Sequence, residues 1–140
     1  MAFQYKAPQV KGELAKKDSV IQIITVNFEL DQFVLTPEER IHLMESVLKL
    51  LKNDPAYYVI LNGHADIRGT EEYNMGLSQE RANFVKQIMI KEGIQQGRVT
   101  TQYFGESQLL KYCPEIKNCD ESIHQENRRV EILILKEKRG

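Results

Sequence analysis

Residues 56–63, AYYVILNG, form a nearly continuous apolar run between Asp54-Pro55 and the polar stretch GHAD. Such a run reads as a strand buried on both faces. A strand of that kind sits inside a sheet, and its neighbours in sequence must supply the covering layer. Upstream, LTPEERIHLMESVLKLLKND places Ile41, Met44, Val47, Leu48 and Leu51 at helical spacing. Thr36 suits the N-cap, Pro37 the first helical position, and Glu39 stands three residues after Thr36 as in a capping box. Asp54-Pro55 ends this helix. Downstream, Thr70 is placed to cap a second helix, with Glu71 and Glu72 in its first turn, where the helix dipole favours acid. That helix is expected to reach about Glu92 and to stop at Gly93.

Three further strands follow from β-branched and apolar patterning: VIQIITVNFEL at 20–30, RVTTQYF at 98–104, and RRVEILIL at 128–135, with a long loop before the last. The order is β-α-β-α-β-loop-β. It predicts an α/β sandwich with two long helices packed on one face of a mixed four-stranded sheet. Strand–helix–strand units give right-handed, parallel crossovers. The last strand has no long helix before it and is expected to pair antiparallel. The 140 residues suit one core. Residues 1–18 read as a polar lead-in or linker, 19–136 as the domain, and 137–140 as a charged tail.

Charge excludes one class of partner. Lys plus Arg number 19 and Asp plus Glu 20, so the basic excess of a nucleic-acid binder is missing. No apolar run approaches the ~20 residues of a membrane helix, and the first twenty residues lack the apolar core of a secretory signal. The expectation is an excised domain that meets a membrane only through a segment or partner outside this chain.

The second helix carries an anomaly. Leu77, Phe84, Val85, Ile88 and Met89 form one apolar stripe, and Arg81 lies on or beside it. A guanidinium keeps its proton and needs acceptors. Asp66, just past the end of the second strand, is the obvious partner, because ligands in α/β sheets collect beyond the strand carboxyl ends. Two readings stand. In one, Asp66 and Arg81 form a structural salt bridge. In the other they are a split pair, with Asp66 taking the ammonium and Arg81 the carboxylate of a zwitterion. A site of the second kind binds an amino-acid head group and catalyses nothing.

Cys113 and Cys119, in YCPEIKNCDES, read as a small disulfide ring and hence an oxidising compartment, with two reduced thiols as the alternative. Zinc would need two more ligands, so no metal is expected. His64 and His124 read as hydrogen-bonding residues rather than acids or bases. Gly76, inside the second helix, either admits a close approach or merely weakens the helix. Ser78 has no His beside it, and no nucleophile elbow, phosphate loop or glycosidase motif is present.

GHAD (63–66), YN (73–74), LSQERA (77–82), FGE (104–106) and NRRVEI (127–132) together resemble the signature of the OmpA-like C-terminal domain. That family includes peptidoglycan-associated lipoproteins and the periplasmic part of flagellar motor stators. The motifs match in order and spacing over about residues 20–136. The resemblance implies non-covalent, non-enzymatic binding of peptidoglycan through the diaminopimelate of the stem peptide, without cofactor. It implies a periplasmic module that tethers an outer-membrane protein or envelope complex of a Gram-negative cell to the wall. Carried over by position, Asp66 would hold the ammonium and Arg81 the carboxylate. Asn74 would line the groove, Leu77 would supply an apolar wall, and Leu30 and Asp31 would form an edge that meets the peptide backbone. Arg128 would add positive potential or a hydrogen bond. Ala65 stands where Thr is usual, Leu30 replaces an aromatic or polar residue, and the cysteine loop looks like an insertion. The alternatives are a cell-wall hydrolase, or a protein-interaction domain in which Asp66–Arg81 is structural.

Overall fold

The computed structural model describes residues 19–113 and 119–137. The lead-in at 1–18, and all but the first residue of the tail at 137–140, lie outside the described residues. Strands β1 (Val20–Asn27), β2 (Tyr57–Gly63), β3 (Val99–Tyr103) and β4 (Arg129–Lys136) form one sheet in the order β1-β4-β2-β3. Helix α2 (Glu71–Lys91) carries the chain from β2 to the parallel β3. β4 inserts antiparallel between β1 and β2, which is why Arg129 through Leu135 are buried without a break. The mixed sheet and the antiparallel last strand are as the sequence leads one to expect.

Helix α1 spans 37–53 and is not uniform. It is α-helical at Pro37–Leu43, makes a π turn at Met44–Leu48, and is α-helical again at Lys49–Asn53. Thr36 caps it, its hydroxyl accepting from the Glu39 amide at 3.3 Å. The π turn corrects the expected apolar stripe. A π turn takes up an extra residue, so the face before it is rotated relative to the face after it. Ile41, expected in the core, is 57% exposed, whereas Leu43 is fully buried with Val47 and Leu51.

Both helices pack on one face of the sheet. Leu43, Val47 and Leu51 from α1, Val85, Ile88 and Met89 from α2, and Val26, Val59, Leu61, Val130, Ile132 and Ile134 from the strands share one core. Gly63 sets how closely α2 approaches β2. A Cβ there would lie 2.1 Å from the main-chain oxygen of Ser78, so only glycine fits. Arg98 clamps the end of α1 to the sheet by donating to the carbonyls of Leu51, Asp54 and Tyr57.

The stretch before β4 is not all loop. A short helix, α3 (Glu121–Asn127), precedes the last strand. Its sequence, ESIHQEN, has Ile123 as its sole aliphatic residue, so no apolar period announces it. Cys113 and Cys119 are joined in a disulfide, with Cα atoms 6.0 Å apart. No helix among the described residues is long and apolar enough to cross a membrane.

Candidate functional site

β1 ends at Asn27, earlier than the expected residue 30, and the chain turns through Leu30 and Asp31. Asp31 adopts φ +57°, the left-handed region that Asp tolerates better than most residues. This turn, the exit of β2 and the first three turns of α2 converge on a cavity of about 240 Å³. All seven residues singled out from the sequence line it: Leu30, Asp31, Asp66, Asn74, Leu77, Arg81 and Arg128. Arg68, Gly69 and Tyr73 complete the wall.

Arg81 forms the floor. It follows Leu77 on the buried stripe of α2 and is itself fully buried. Its partners are main-chain carbonyls. Nε donates to Gln32 at 2.9 Å, Nη1 to His64 at 3.1 Å, and Nη2 to Glu29 at 3.3 Å. The guanidinium carbon lies 5.3 Å from the ring centre of Phe28, within cation–π range. Burial, reinforced by the nearby charge of Arg128, brings its pKa down to about 10, while the charge of Asp66 opposes the shift. Arg81 is therefore a buried cation held by neutral oxygens. Three of a guanidinium's five N–H donors are engaged.

Asp66 does not close on Arg81. Its Oδ1 accepts from the Arg68 amide at 2.9 Å, an Asx turn. Its Oδ2 meets Nη2 of Arg68 at 2.9 Å and Nη1 of Arg128 at 3.2 Å. Burial pushes the carboxyl pKa up, but hydrogen bonds and charge from Arg68, aided by Arg128, outweigh it, and the net shift is downward. The structural Asp66–Arg81 salt bridge is thus corrected. The two charges share one cavity, each with other partners.

The remaining residues fix the frame. Arg128 donates through Nε to the Phe28 carbonyl at 2.8 Å, and its Nη1 lies 2.8 Å from Glu121. Nδ2 of Asn74 donates to the Arg68 carbonyl and to Glu106, each at 2.9 Å. The Tyr73 hydroxyl donates to Asp31 at 3.0 Å. Gly76 faces open space, so no close approach explains it. Ser78 is a structural residue whose hydroxyl donates to the Met75 carbonyl and accepts from the Gly105 amide. Glu71 and Glu72 lie in the first turn of α2, as expected.

The N-R-R motif divides between the two faces of the sheet. Arg128 reaches the cavity. Asn127 instead holds the loop, its side chain accepting from the amides of Leu110 and Lys111. Arg129 lies on the face away from the helices and donates to Glu131 at 3.1 Å and to the Gln108 carbonyl. Glu131 in turn meets Nε2 of His64 at 2.8 Å, beneath a stacked Phe104 ring. His64 is buried, and burial lowers its pKa despite the Glu131 bond. His124, expected in a loop, lies buried in α3. Among the described residues, no three His, Cys, Asp or Glu side chains gather as metal ligands.

Sequence reasoning missed Arg68 and Glu121. Arg68 stands two residues after an Asp that opens a turn, and that spacing could have flagged it. Glu121 came to the site through a helix with no sequence period.

The model of the OmpA family matches residues 27–121. The chain belongs to the OmpA family. Among its OmpA-family relatives, it is 32% identical over 123 residues to a peptidoglycan-associated lipoprotein of Pasteurella multocida, covering 88% of this chain and 78% of that one. It is 34% identical over 111 residues to outer membrane porin F of Pseudomonas fluorescens, covering 79% of this chain and 32% of the porin. The crystal structure of the peptidoglycan-associated lipoprotein from Burkholderia pseudomallei superposes with a TM-score of 0.67 at 26% identity, covering 86% of this chain and 92% of that one. These relatives carry the names of lipoproteins and a porin, not of enzymes.

Proposed function

We propose that this domain binds peptidoglycan non-covalently and tethers an outer-membrane protein or envelope complex to the wall from the periplasm. The relatives named as peptidoglycan-associated lipoproteins support that class of ligand. The disulfide fits an oxidising compartment. The ligand group we assign is the zwitterionic end of diaminopimelate in the stem peptide.

One observation carries this reading. Arg81 is a buried guanidinium on the wall of a cavity, and its protein partners are neutral carbonyls. Asp66 and Asp31 act on it through space and not by direct bonds, and a ligand carboxylate supplies a directly bonded counter-charge in the bidentate geometry that guanidinium favours. Asp66, on the same cavity, is the acceptor for the ammonium. Leu30 and Leu77 give the apolar walls for the carbon chain between them.

Thermal unfolding with free meso-diaminopimelate tests the reading. A ligand that binds only the folded state raises Tm as its concentration passes Kd. Asp66→Asn removes the ammonium acceptor without changing shape, and is expected to abolish both the Tm rise and co-sedimentation with purified peptidoglycan. Co-sedimentation unchanged in Asp66→Asn would refute the clamp.

A further inference from the structure

Asp66 has two guanidinium partners, and they are not alike. Arg128 has a side chain 3% exposed, and its Nε is tied to the Phe28 carbonyl. Arg68 has a side chain 28% exposed and sits on the turn that leads into α2. It is followed by Gly69 at φ +94°, a backbone position that L side chains resist. Arg68 also holds a second carboxylate. Its Nη1 lies 3.1 Å from Glu121, which stands exposed at the rim. Arg128 touches Glu121 as well, at 2.8 Å, so both cations bridge the buried acid and the exposed one. They differ in their anchoring: Arg128 is buried and tied to main chain, whereas the part-exposed Arg68 side chain bonds the two carboxylates.

We propose that Arg68 is an internal stand-in for the ligand's cation, occupying Asp66 until a ligand ammonium displaces it onto Glu121. The proposal rests on the clamp reading given above and adds a specificity threshold to it. Asp66 is already neutralised, so a weakly placed cation gains little there. A ligand gains only when its carboxylate meets Arg81 while its ammonium takes the place of Arg68. A molecule with one of the two groups cannot meet both conditions. Glu121 lowers the free-energy cost of displacement by keeping the displaced guanidinium paired in solvent.

Isothermal titration of the whole chain with meso-diaminopimelate tests this, with Arg68→Gln, Glu121→Gln and the double variant alongside the wild type. Arg68 and Glu121 are both partly exposed, and a melting curve for each variant checks that it folds. Arg68→Gln is expected to bind at least threefold more tightly than the wild type. Glu121→Gln is expected to bind at least threefold more weakly, and its effect should shrink in the Arg68→Gln background to what Glu121 contributes through Arg128. Weaker or unchanged binding in Arg68→Gln overturns the stand-in role and makes Arg68 a ligand contact or a bystander. Equal Glu121 effects in both backgrounds overturn the parking role. Absence of binding by the wild type to both diaminopimelate and peptidoglycan overturns the clamp itself, and the stand-in with it.

Discussion

Nη1 of Arg81 donates to the main-chain carbonyl of His64 across 3.1 Å, tying the middle of α2 to the exit of β2. The same guanidinium holds the carbonyls of Glu29 and Gln32 in the turn after β1. One side chain therefore fixes three separate backbone segments that border the cavity. Its place on an apolar stripe is explained by the three carbonyls that the guanidinium reaches from there. Binding and folding meet in this residue, and variants of it must be read for both.

Arg81→Ala is expected to lose about 2–4 kcal/mol of stability, because the buried His64 carbonyl and the part-buried carbonyls of Glu29 and Gln32 lose a donor and a large side-chain volume empties. Arg81→Lys keeps the charge but cannot span three acceptors in the planar fork, and is expected to lose about 1–3 kcal/mol. Urea unfolding at pH 7 measures both. A loss of ligand binding in either variant counts in favour of Arg81 as a contact only under conditions where the variant is still folded.

Gly63, at the end of β2, and Gly76, inside α2, should respond with opposite signs. Gly63→Ala forces a methyl against the Ser78 carbonyl oxygen at 2.1 Å, so α2 must move off the sheet. A destabilisation of about 3 kcal/mol is expected. Gly76→Ala meets no atom within 4 Å and replaces a poor helix former inside α2. A gain of about 0.5–1 kcal/mol is expected. Thermal melts of the pair give the sign directly.

The Cys113–Cys119 bond closes a ring with a sequence separation of 6. Chain-entropy reasoning assigns a ring that small about 2 kcal/mol. The Cys113→Ser/Cys119→Ser double variant should therefore remain folded at 25 °C, with a Tm lowered by several degrees. A reductant should shift the wild type to the same Tm and leave the double variant unmoved. Both are read in one calorimetric scan series.

Much of the site was legible because its residues belong to strongly periodic elements. Arg81 could be found by its conflict with the stripe from Leu77 to Met89, and Asp66 by its place at a strand exit. What was not legible were the partners. Which acid neutralises which guanidinium depends on side-chain reach of a few ångströms, and Asp66 chose Arg68, two residues away, over the more distant Arg81. The π turn in α1 was hidden for a related reason. The choice between Ile41 and Leu43 as the buried residue turns on one residue of helical phase, which the pattern of Met44, Val47, Leu48 and Leu51 does not fix. α3 was hidden because a short polar helix is ordered by what holds it, here Glu121 on Arg68 and Arg128 and Asn127 on the 110–111 backbone.

Acid should expose His64. Its folded-state pKa is lowered from 6.5, first by burial, with the Glu131 bond raising it in part and the charge of Arg129 lowering it again. In the unfolded chain it takes up a proton near the ordinary value. Below pH 6.5 the unfolded state therefore binds more protons than the folded state, and stability falls as pH falls; above 6.5 this residue adds no slope. Glu131 and Asp66 have lowered folded pKa values, so their contributions are intact above the ordinary 4.5 and 3.8 and are lost only as pH drops through the still lower folded values. Between pH 4.5 and 6.5, His64 is thus the shifted group that titrates. Urea unfolding of the wild type and His64→Gln across that interval should show the wild type losing up to about 1.4 kcal/mol per pH unit relative to the variant. Equal slopes, or a wild type that gains stability on acidification, would mean that the imidazole is protonated in the folded state and paired with Glu131 as an ion. In that case the bond beneath Phe104, which positions the carbonyl that Arg81 grips, would be a salt bridge and not a neutral hydrogen bond.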